Sequence, residues 1–171
     1  MQLKLKRTLA TAVVAFVLSA VGIFALAGPA QAYDYGPFKM VNIATGLCLE
    51  VPHGSMTMNE QLTISICGPT PTWYQEFYYT DACCAWHYFV RPGHNLWCIT
   101  PGVAVAGSTI VQWGCDWGDG KEVWHLTGTG DVRQLVHANS GGFLTVYDSQ
   151  VGGLVVLGGP SERSDWRLIH L

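Results

Sequence analysis

Thr45-Gly46-Leu47-Cys48-Leu49-Glu50-Val51 is the stretch that decides the fold, because its order of turn, anchor and strand residues recurs twice along the chain. The second copy is residues 95–101 (NLWCITP) and the third is residues 140–146 (SGGFLTV). The anchors Cys48, Cys98 and Phe143 are 50 and 45 residues apart. Self-similarity at such a period is typical of an architecture built from repeated units.

Two further segments follow each copy in the same order. The first is a β-rich run, at residues 62–67, 110–115 and 154–157. The second ends in a large ring, and these rings are Phe77, Trp124 and Trp166. The sequence therefore predicts three units of about 46 residues, each with several short strands and one buried ring.

The local pattern between these anchors is typical of β-structure. Short β-rich runs, such as residues 38–43, 88–91 and 132–137, alternate with turns rich in Gly, Pro, Asn and Asp. No long apolar segment with helical periodicity follows Ala32, which excludes helical arrays, and three units are too few for a propeller. A closed three-fold all-β arrangement fits best, because closure removes exposed sheet edges.

The N-terminus is typical of a secretory signal peptide. Lys4, Lys6 and Arg7 precede an apolar stretch from residue 9 to 27, and Ala30-Gln31-Ala32 follows. Pro29 favours cleavage because it breaks a helix where a peptidase needs extended chain. We predict a signal peptide at residues 1–32 and a secreted domain at 33–171 with no membrane span; retention as an anchor helix is the alternative.

Composition excludes two classes of protein. Of the 171 residues, 49% are hydrophobic and only 12% are charged, which excludes intrinsic disorder. The formal charge is −3, and it becomes −6 once the three basic residues of the signal peptide are removed. We therefore expect no basic surface for nucleic acid.

The repeats resemble those of a known family, the ricin B-type lectins. The run Gly-Leu-Cys-Leu-Glu-Val, with Cys67 nineteen positions after Cys48, resembles that family's repeat, and so does Val-Gln-Trp-Gly-Cys at 111–115. The rings Phe77, Trp124 and Trp166 resemble its Gln-x-Trp signature. The resemblance covers nearly all of residues 36–171, in repeats at about 36–80, 86–127 and 130–171. It implies a β-trefoil, with the three rings around a pseudo-three-fold axis, and carbohydrate as the ligand.

The six cysteines are expected to form disulfides in an exported protein. The repeats pair Cys48 with Cys67 and Cys98 with Cys115, at equivalent positions of the first two units. Cys83 and Cys84 remain, and we favour a vicinal disulfide over two free thiols or an intermolecular link. No further ligands at set spacing accompany them, so we expect no metal site and no cofactor.

In the second repeat, the resemblance places a sugar site around Trp113. The family has an Asp two residues after the first Cys, an aromatic two residues before the second Cys, a Gln two residues further back and an Asn before Gln-x-Trp. Here these positions are Thr100, Trp113, Val111 and Lys121. Trp113 preserves the aromatic platform, whereas strand alternation should turn Gln112 away from it.

The other two repeats depart further from the pattern. In the first, Glu50 keeps the carboxylate and Tyr74 takes the Asn position, but Ser65 replaces the aromatic and Thr63 the Gln. In the third the four positions are Thr145, Leu157, Val155 and Arg163, and we predict that this site is lost. Two tryptophans outside the pattern, Trp73 and Trp117, lie in turn-rich loops and are predicted to be exposed ligand candidates.

Three function classes follow from these observations. The first is a secreted, non-catalytic carbohydrate-binding protein with divergent sites. The second is a β-trefoil that binds a protein partner, such as an inhibitor or a toxin-associated subunit, since the Asp anchor is replaced in every repeat. The third, an enzyme, is disfavoured, because no catalytic triad, zinc set or carboxylate pair is legible.

Overall fold

Strands and short 3-10 turns make up the part of the chain that the computed structural model describes, residues 34–69, 72–82, 87–116 and 120–171. The strands are β1 (Asp34–Asn42), β2 (Cys48–Glu50), β3 (Thr63–Ser65), β4 (Phe77–Asp81), β5 (Tyr88–Pro92), β6 (Cys98–Pro101), β7 (Ile110–Trp113), β8 (Val123–Thr127), β9 (Val132–His137), β10 (Phe143–Val146), β11 (Val155–Gly158) and β12 (Trp166–His170). The 3-10 turns are Pro52–Gly54, Trp73–Gln75 and Glu162–Ser164.

Six of these strands close into an antiparallel barrel. β1 pairs with β4 and β12, β5 pairs with β4 and β8, and β9 pairs with β8 and β12. Each barrel strand therefore has a partner on both sides. The prediction of a closed β-structure is confirmed.

The other six strands form three hairpins, β2–β3, β6–β7 and β10–β11. Single β-bridges join each hairpin to the next, and they pair Gln61 with Val111, Thr109 with Val156 and Thr63 with Leu154. This cyclic order makes the hairpins a three-fold cap on one end of the barrel. A six-stranded barrel with a three-hairpin cap is a β-trefoil, as the family resemblance implied.

The three ring residues of the repeats lie in the core. Phe77, Trp124 and Trp166 are all fully buried. Trp124 donates its Nε1–H to the carbonyl of Ile99 at 2.9 Å, and Trp166 makes the same bond to Leu144 at 2.9 Å. Ile99 and Leu144 are equivalent positions, one residue after the anchors Cys98 and Phe143, so the interior follows the three-fold repeat down to single hydrogen bonds.

Both disulfides predicted from the repeats are present, Cys48–Cys67 and Cys98–Cys115. Each ties the first strand of a cap hairpin to the segment just after its second strand. Cys83 and Cys84 lie outside the described residues, and so does the predicted signal peptide at 1–32. Within the described residues, no helix has the length and apolar character that a membrane span requires.

The register of the third hairpin corrects the sequence alignment by one residue. Cys48 pairs with Ser65 and Cys98 with Trp113, but Phe143 pairs with Gly158 rather than Leu157. The alignment matched apolar runs, and the run of the third repeat begins one position early. Val156 and Gly158, and not Val155 and Leu157, are therefore the counterparts of Val111 and Trp113.

Candidate functional site

The two faces of the hairpin β6–β7 carry different residues, and among the hairpin's strand residues Trp113 is exposed. Thr100 lies opposite Val111, and Cys98 lies opposite Trp113. Because side chains alternate along a strand, Val111 and Trp113 share a face while Gln112 points the other way. Gln112 is fully buried and donates to the carbonyls of Ser55 (2.8 Å) and Thr57 (2.6 Å), which confirms that it does not contribute to the Trp113 face.

A cavity of about 480 Å³ lies beside the face that carries Trp113. The side chain of Trp113 is 43% exposed and forms part of its wall. The structure thus brings together three residues that the sequence singled out, Thr100, Trp113 and Lys121. The remaining residues that line the cavity are Asn59, Pro101, Gly102, Val111, Asp116 and Glu122.

The backbone of Lys121 is fixed from two sides. Thr100 donates from Oγ1 to the Lys121 carbonyl at 2.8 Å, and Nε2 of His137 lies 2.7 Å from the same oxygen. Since a carbonyl only accepts, Nε2 carries the proton and Nδ1 is left to accept from Ser140. Burial lowers the pKa of His137, and the bond to Lys121 offsets part of that shift. Thr100 and neutral His137 therefore hold the Lys121 segment against the cavity.

Asn59 reaches the cavity from the first repeat and was not identified from the sequence. Its backbone N–H donates to the Gln112 carbonyl at 2.8 Å, which places the loop after β2 beside β7. Its φ of +69° is one that Asn tolerates better than most residues. The Met-Asn-Glu turn at 58–60 was the available signal, but nothing in it indicated a partner in another repeat.

Glu122 and Asp116 also line the cavity, and neither was among the residues predicted for the sugar site. Glu122 occupies the position of Gln75 in the first repeat, where the Gln75 amide donates to the Glu50 carboxylate at 2.9 Å. In the second repeat the residues equivalent to Glu50 and Gln75 are Thr100 and Glu122, so the acidic residue occupies the second position instead of the first. Two acidic residues therefore line the cavity, the buried Glu122 and the exposed Asp116, whereas the strand position that carries the acid in the family's pattern is Thr100.

In the first repeat the predicted residues do not join this cavity. Glu50 is bound by Gln75, which is buried and also donates to the Ile66 carbonyl at 2.9 Å. Tyr74 is half-buried and packs edge-on against Trp73, with ring centroids 5.6 Å apart. Trp73 is 49% exposed, as predicted. Glu50 therefore belongs to a structural hydrogen-bond network.

In the third repeat the side chains fill the site. Thr145 is buried and its hydroxyl donates to the Phe143 carbonyl at 3.0 Å. A Cβ at Gly158 would lie 2.8 Å from Thr145 Oγ1, so no aromatic platform fits at the position equivalent to Trp113. Leu157 is buried in the core. Arg163 is exposed and donates to the Tyr147 carbonyl at 2.9 Å.

The described residues contain no group of three or more His, Cys, Asp or Glu side chains that could hold a metal ion. Trp117, the remaining candidate from the sequence, lies outside the described residues.

The family is shown by comparison with known sequences. Residues 36–164 match the family described as the ricin-type beta-trefoil lectin domain, which is most of the chain. The chain belongs to the ricin-type β-trefoil lectin family. Among curated proteins none matches this ricin-type chain.

Solved structures share the fold of this ricin-type chain. A designed three-fold symmetric protein, ThreeFoil, has a TM-score of 0.72 at 22% identity over 80% of this chain and 100% of its own. An exo-β-1,3-galactanase from Clostridium thermocellum has a TM-score of 0.74 at 17% identity over 82% of this chain but 31% of its own. The C-half of an earthworm R-type lectin in complex with GalNAc has a TM-score of 0.64 at 13% identity, over 79% and 98%. At these identities the similarity shows the fold alone.

Proposed function

We propose that this chain is a secreted, non-catalytic carbohydrate-binding protein with one working site, in the second repeat. The observation that carries the proposal is the exposed Trp113 on the wall of a polar cavity shared with Asn59, Thr100 and Lys121. Neither of the other two repeats presents an aromatic side chain at the equivalent position, which is Ser65 in the first and Gly158 in the third.

The chemistry of the cavity suits a neutral or weakly polar sugar ring. An indole face stacks on the C–H surface of a pyranose, and a few fixed polar groups orient the hydroxyls. Trp113 would supply the stacking face. The amide of Asn59 offers donors and an acceptor. The Thr100 hydroxyl donates a hydrogen bond to the Lys121 carbonyl, and its oxygen can still accept one from a sugar hydroxyl.

Export is supported by two independent features. The first is the basic, apolar and small-residue pattern of residues 1–32. The second is the pair of disulfides, which persist in oxidising compartments and are rare in the cytosol. Mass spectrometry of the protein recovered from culture medium should find a chain that begins at Tyr33.

A glycan array followed by calorimetric titration of the best hit tests the sugar-binding proposal. Wild-type protein should bind at least one glycan, and Trp113→Ala should weaken that binding by about ten-fold or more because the stacking surface is lost. Trp73→Ala is the matched control, since Trp73 is equally exposed but lies outside the cavity. Near-UV circular dichroism of both variants establishes that they are folded.

Two results would contradict the proposal. Failure of wild type to bind any plant, fungal or bacterial glycan would contradict the proposed function. An equal loss of glycan affinity in Trp113→Ala and Trp73→Ala would contradict the proposed site. The alternative, a protein-binding module, rests on the exposed apolar side chains of Trp73, Met56 and Leu96. Their segments meet at His94, which contacts the Trp73 ring and the Ser55 carbonyl. Affinity capture of a protein by wild type but not by Trp73→Ala, with no glycan bound, would favour it.

A further inference from the structure

A second cavity, of about 790 Å³, lies at the end of the barrel opposite the hairpin cap. All six barrel strands contribute to it, because its walls are their ends and the β8–β9 turn. The lining residues used below are Tyr35, Phe38, Tyr79, Tyr88, Arg133 and His170. The mouths of β-barrels are common ligand sites, and this volume is within the range of small-molecule pockets.

Five rings form a continuous wall of this cavity. His170 packs edge-on to Phe38 at a centroid distance of 4.5 Å, and Phe38 is 5.0 Å from Tyr79. Tyr88 lies 6.2 Å from Tyr79 and 6.3 Å from Tyr35. The ring-to-ring contacts hold the wall in one arrangement, which favours a ligand with a flat or apolar body.

The charges around the cavity leave one cation in excess. Asp34 is paired with Arg91 at 2.8 Å, and Asp131 is paired with Arg167 at 3.5 Å. Among the described residues, the hydrogen bond that Arg133 makes goes from Nη1 to the carbonyl of its neighbour Val132, at 3.1 Å. The other N–H groups of its guanidinium remain for a planar anion such as a carboxylate.

Tyr79 adds a buried hydroxyl beside this cation. Its side chain is 3% exposed, and its hydrogen bond goes to the sulfur of Met40 at 3.8 Å, a weak acceptor. Burial raises the pKa of Tyr79, and the charge of Arg133 offsets part of the rise. The phenol therefore stays protonated, and the wall carries no phenolate charge that would oppose an anion at Arg133.

We propose that the open end of the barrel is a second ligand site, which takes a small organic anion with an apolar ring body and one carboxylate or sulfonate on Arg133. The ring body would lie on the aromatic wall between Phe38 and Tyr88. The site is separate from the cavity at Trp113, and it does not depend on the sugar-binding proposal.

Two fluorescent probes of the same shape test this proposal. They are 1-anilinonaphthalene-8-sulfonate and its uncharged analogue N-phenyl-1-naphthylamine, each titrated against full-length wild type, Arg133→Gln and Arg163→Gln. Wild type should bind the sulfonate saturably at one site. Arg133→Gln should weaken the sulfonate by about ten-fold and the uncharged probe by less than about two-fold, because only the charge-assisted hydrogen bonds are lost. Arg163→Gln, with the same charge change in the 3-10 turn before β12 and outside the cavity, should leave both unchanged.

A measurement on the wild type guards against loss of folding in the variant. In amide NMR spectra the sulfonate should shift the resonances of Tyr79, Leu126 and Leu168, which line the cavity, and leave the Trp113 indole in place. Non-saturable binding, equal loss in the two arginine variants, or shifts confined to Trp113 would overturn the proposal. Trp113→Ala should bind the sulfonate as wild type does, so the proposals for the two sites are tested independently.

Discussion

Asn59 carries a side-chain amide from the first repeat to the cavity of the second. Its backbone is bound to β7 through the Gln112 carbonyl and has a φ of +69°. Asn59→Gly should therefore keep the turn and lose only the amide. We expect glycan affinity to fall by about three- to ten-fold and the free energy of unfolding to change by less than about 0.5 kcal/mol.

Calorimetric titration and chemical denaturation of the same preparations measure the two quantities. Asn59→Ala is the contrasting variant, because alanine is strained at this φ and should also lose stability. Unchanged affinity in Asn59→Gly would remove Asn59 from the site.

His137 gives the domain a pH-dependent stability. Its pKa is lowered by burial from the ordinary value of 6.5, so the unfolded chain binds the proton more readily than the folded one. The free energy of unfolding should therefore fall as the pH drops below about 6.5. At higher pH His137 is neutral in both states and should not lower the stability. Asn42, six residues before Cys48 as His137 is before Phe143, donates to the Arg163 carbonyl at 2.9 Å.

His137→Asn tests this contribution, because Asn42 already makes the equivalent bond with an amide. The loss of Tm between pH 7.5 and 5.0 should be smaller in this variant than in wild type. His53→Asn is the control, since His53 is exposed at a φ of +55° that Asn also adopts. If both variants lose Tm as wild type does, His137 is not the group responsible.

At the residue scale, the sequence predicted what depends on local pattern. Trp124 and Trp166 are core rings because burial follows from their place in the repeat, and Gln112 points away from the face of Trp113 because side chains alternate along a strand. Asn59 and Glu122 were missed for a different reason. Their roles depend on which repeat lies beside which, and a single sequence does not report contacts between loops of different repeats.

The two disulfides belong to equivalent hairpins but only one of them borders the candidate site. Cys98 lies opposite Trp113 in the β6–β7 pair, whereas Cys48 lies opposite Ser65. The sequence separations are 17 and 19 residues, so the chain-entropy model gives each bond about 3 kcal/mol of stability. The two bonds should therefore differ in their effect on binding rather than on stability.

Paired serine variants separate these effects. Cys98→Ser with Cys115→Ser and Cys48→Ser with Cys67→Ser should each lower the free energy of unfolding by about 3 kcal/mol. Only the first pair should weaken glycan binding, because it loosens the strand that carries Trp113. Equal affinity in the two folded double variants would show that the hairpin holds Trp113 without its disulfide.

At the element scale, the third hairpin marks the limit of pattern matching. Strand β9 has the bounds expected from its β-rich run, Val132–His137, because turn residues rich in Gly, Asp and Asn bound that run on both sides. The sequence comparison placed β11 one residue out of register, since residues 154–157 are all apolar and their pattern fits either register. The pairing of Phe143 with Gly158 resolves it through hydrogen bonds that composition does not encode.

At the scale of the whole molecule, the three-fold barrel and cap follow from the repeat, but the two ends of the barrel do not. The cap hairpins carry the repeat motifs, so the sequence predicted some of the residues that line the cavity at Trp113. The opposite end is lined by strand ends that share no motif, for example Tyr35, Arg133 and His170. Only closure of the barrel brings these residues together.

The three-fold symmetry of the fold does not extend to its binding sites, and this sets the valency. The position of Trp113 is Ser65 in the first repeat, and in the third it is Gly158, where Thr145 fills the space. We therefore expect about one glycan per chain in a calorimetric titration, because one aromatic platform gives one stacking site. A monomer with one site does not cross-link cells, so it should not agglutinate them.

Ser65→Trp is the variant that challenges this interpretation. The first repeat keeps the Glu50 carboxylate and its Gln75 partner, so a new indole beside them should raise the stoichiometry towards two. Gly158→Trp is the matched control and should add no site, since even a Cβ there would lie within 3 Å of Thr145. A stoichiometry of about two or three in wild type would show that sugar binding does not need the aromatic platform, and Trp113 would lose its assigned role.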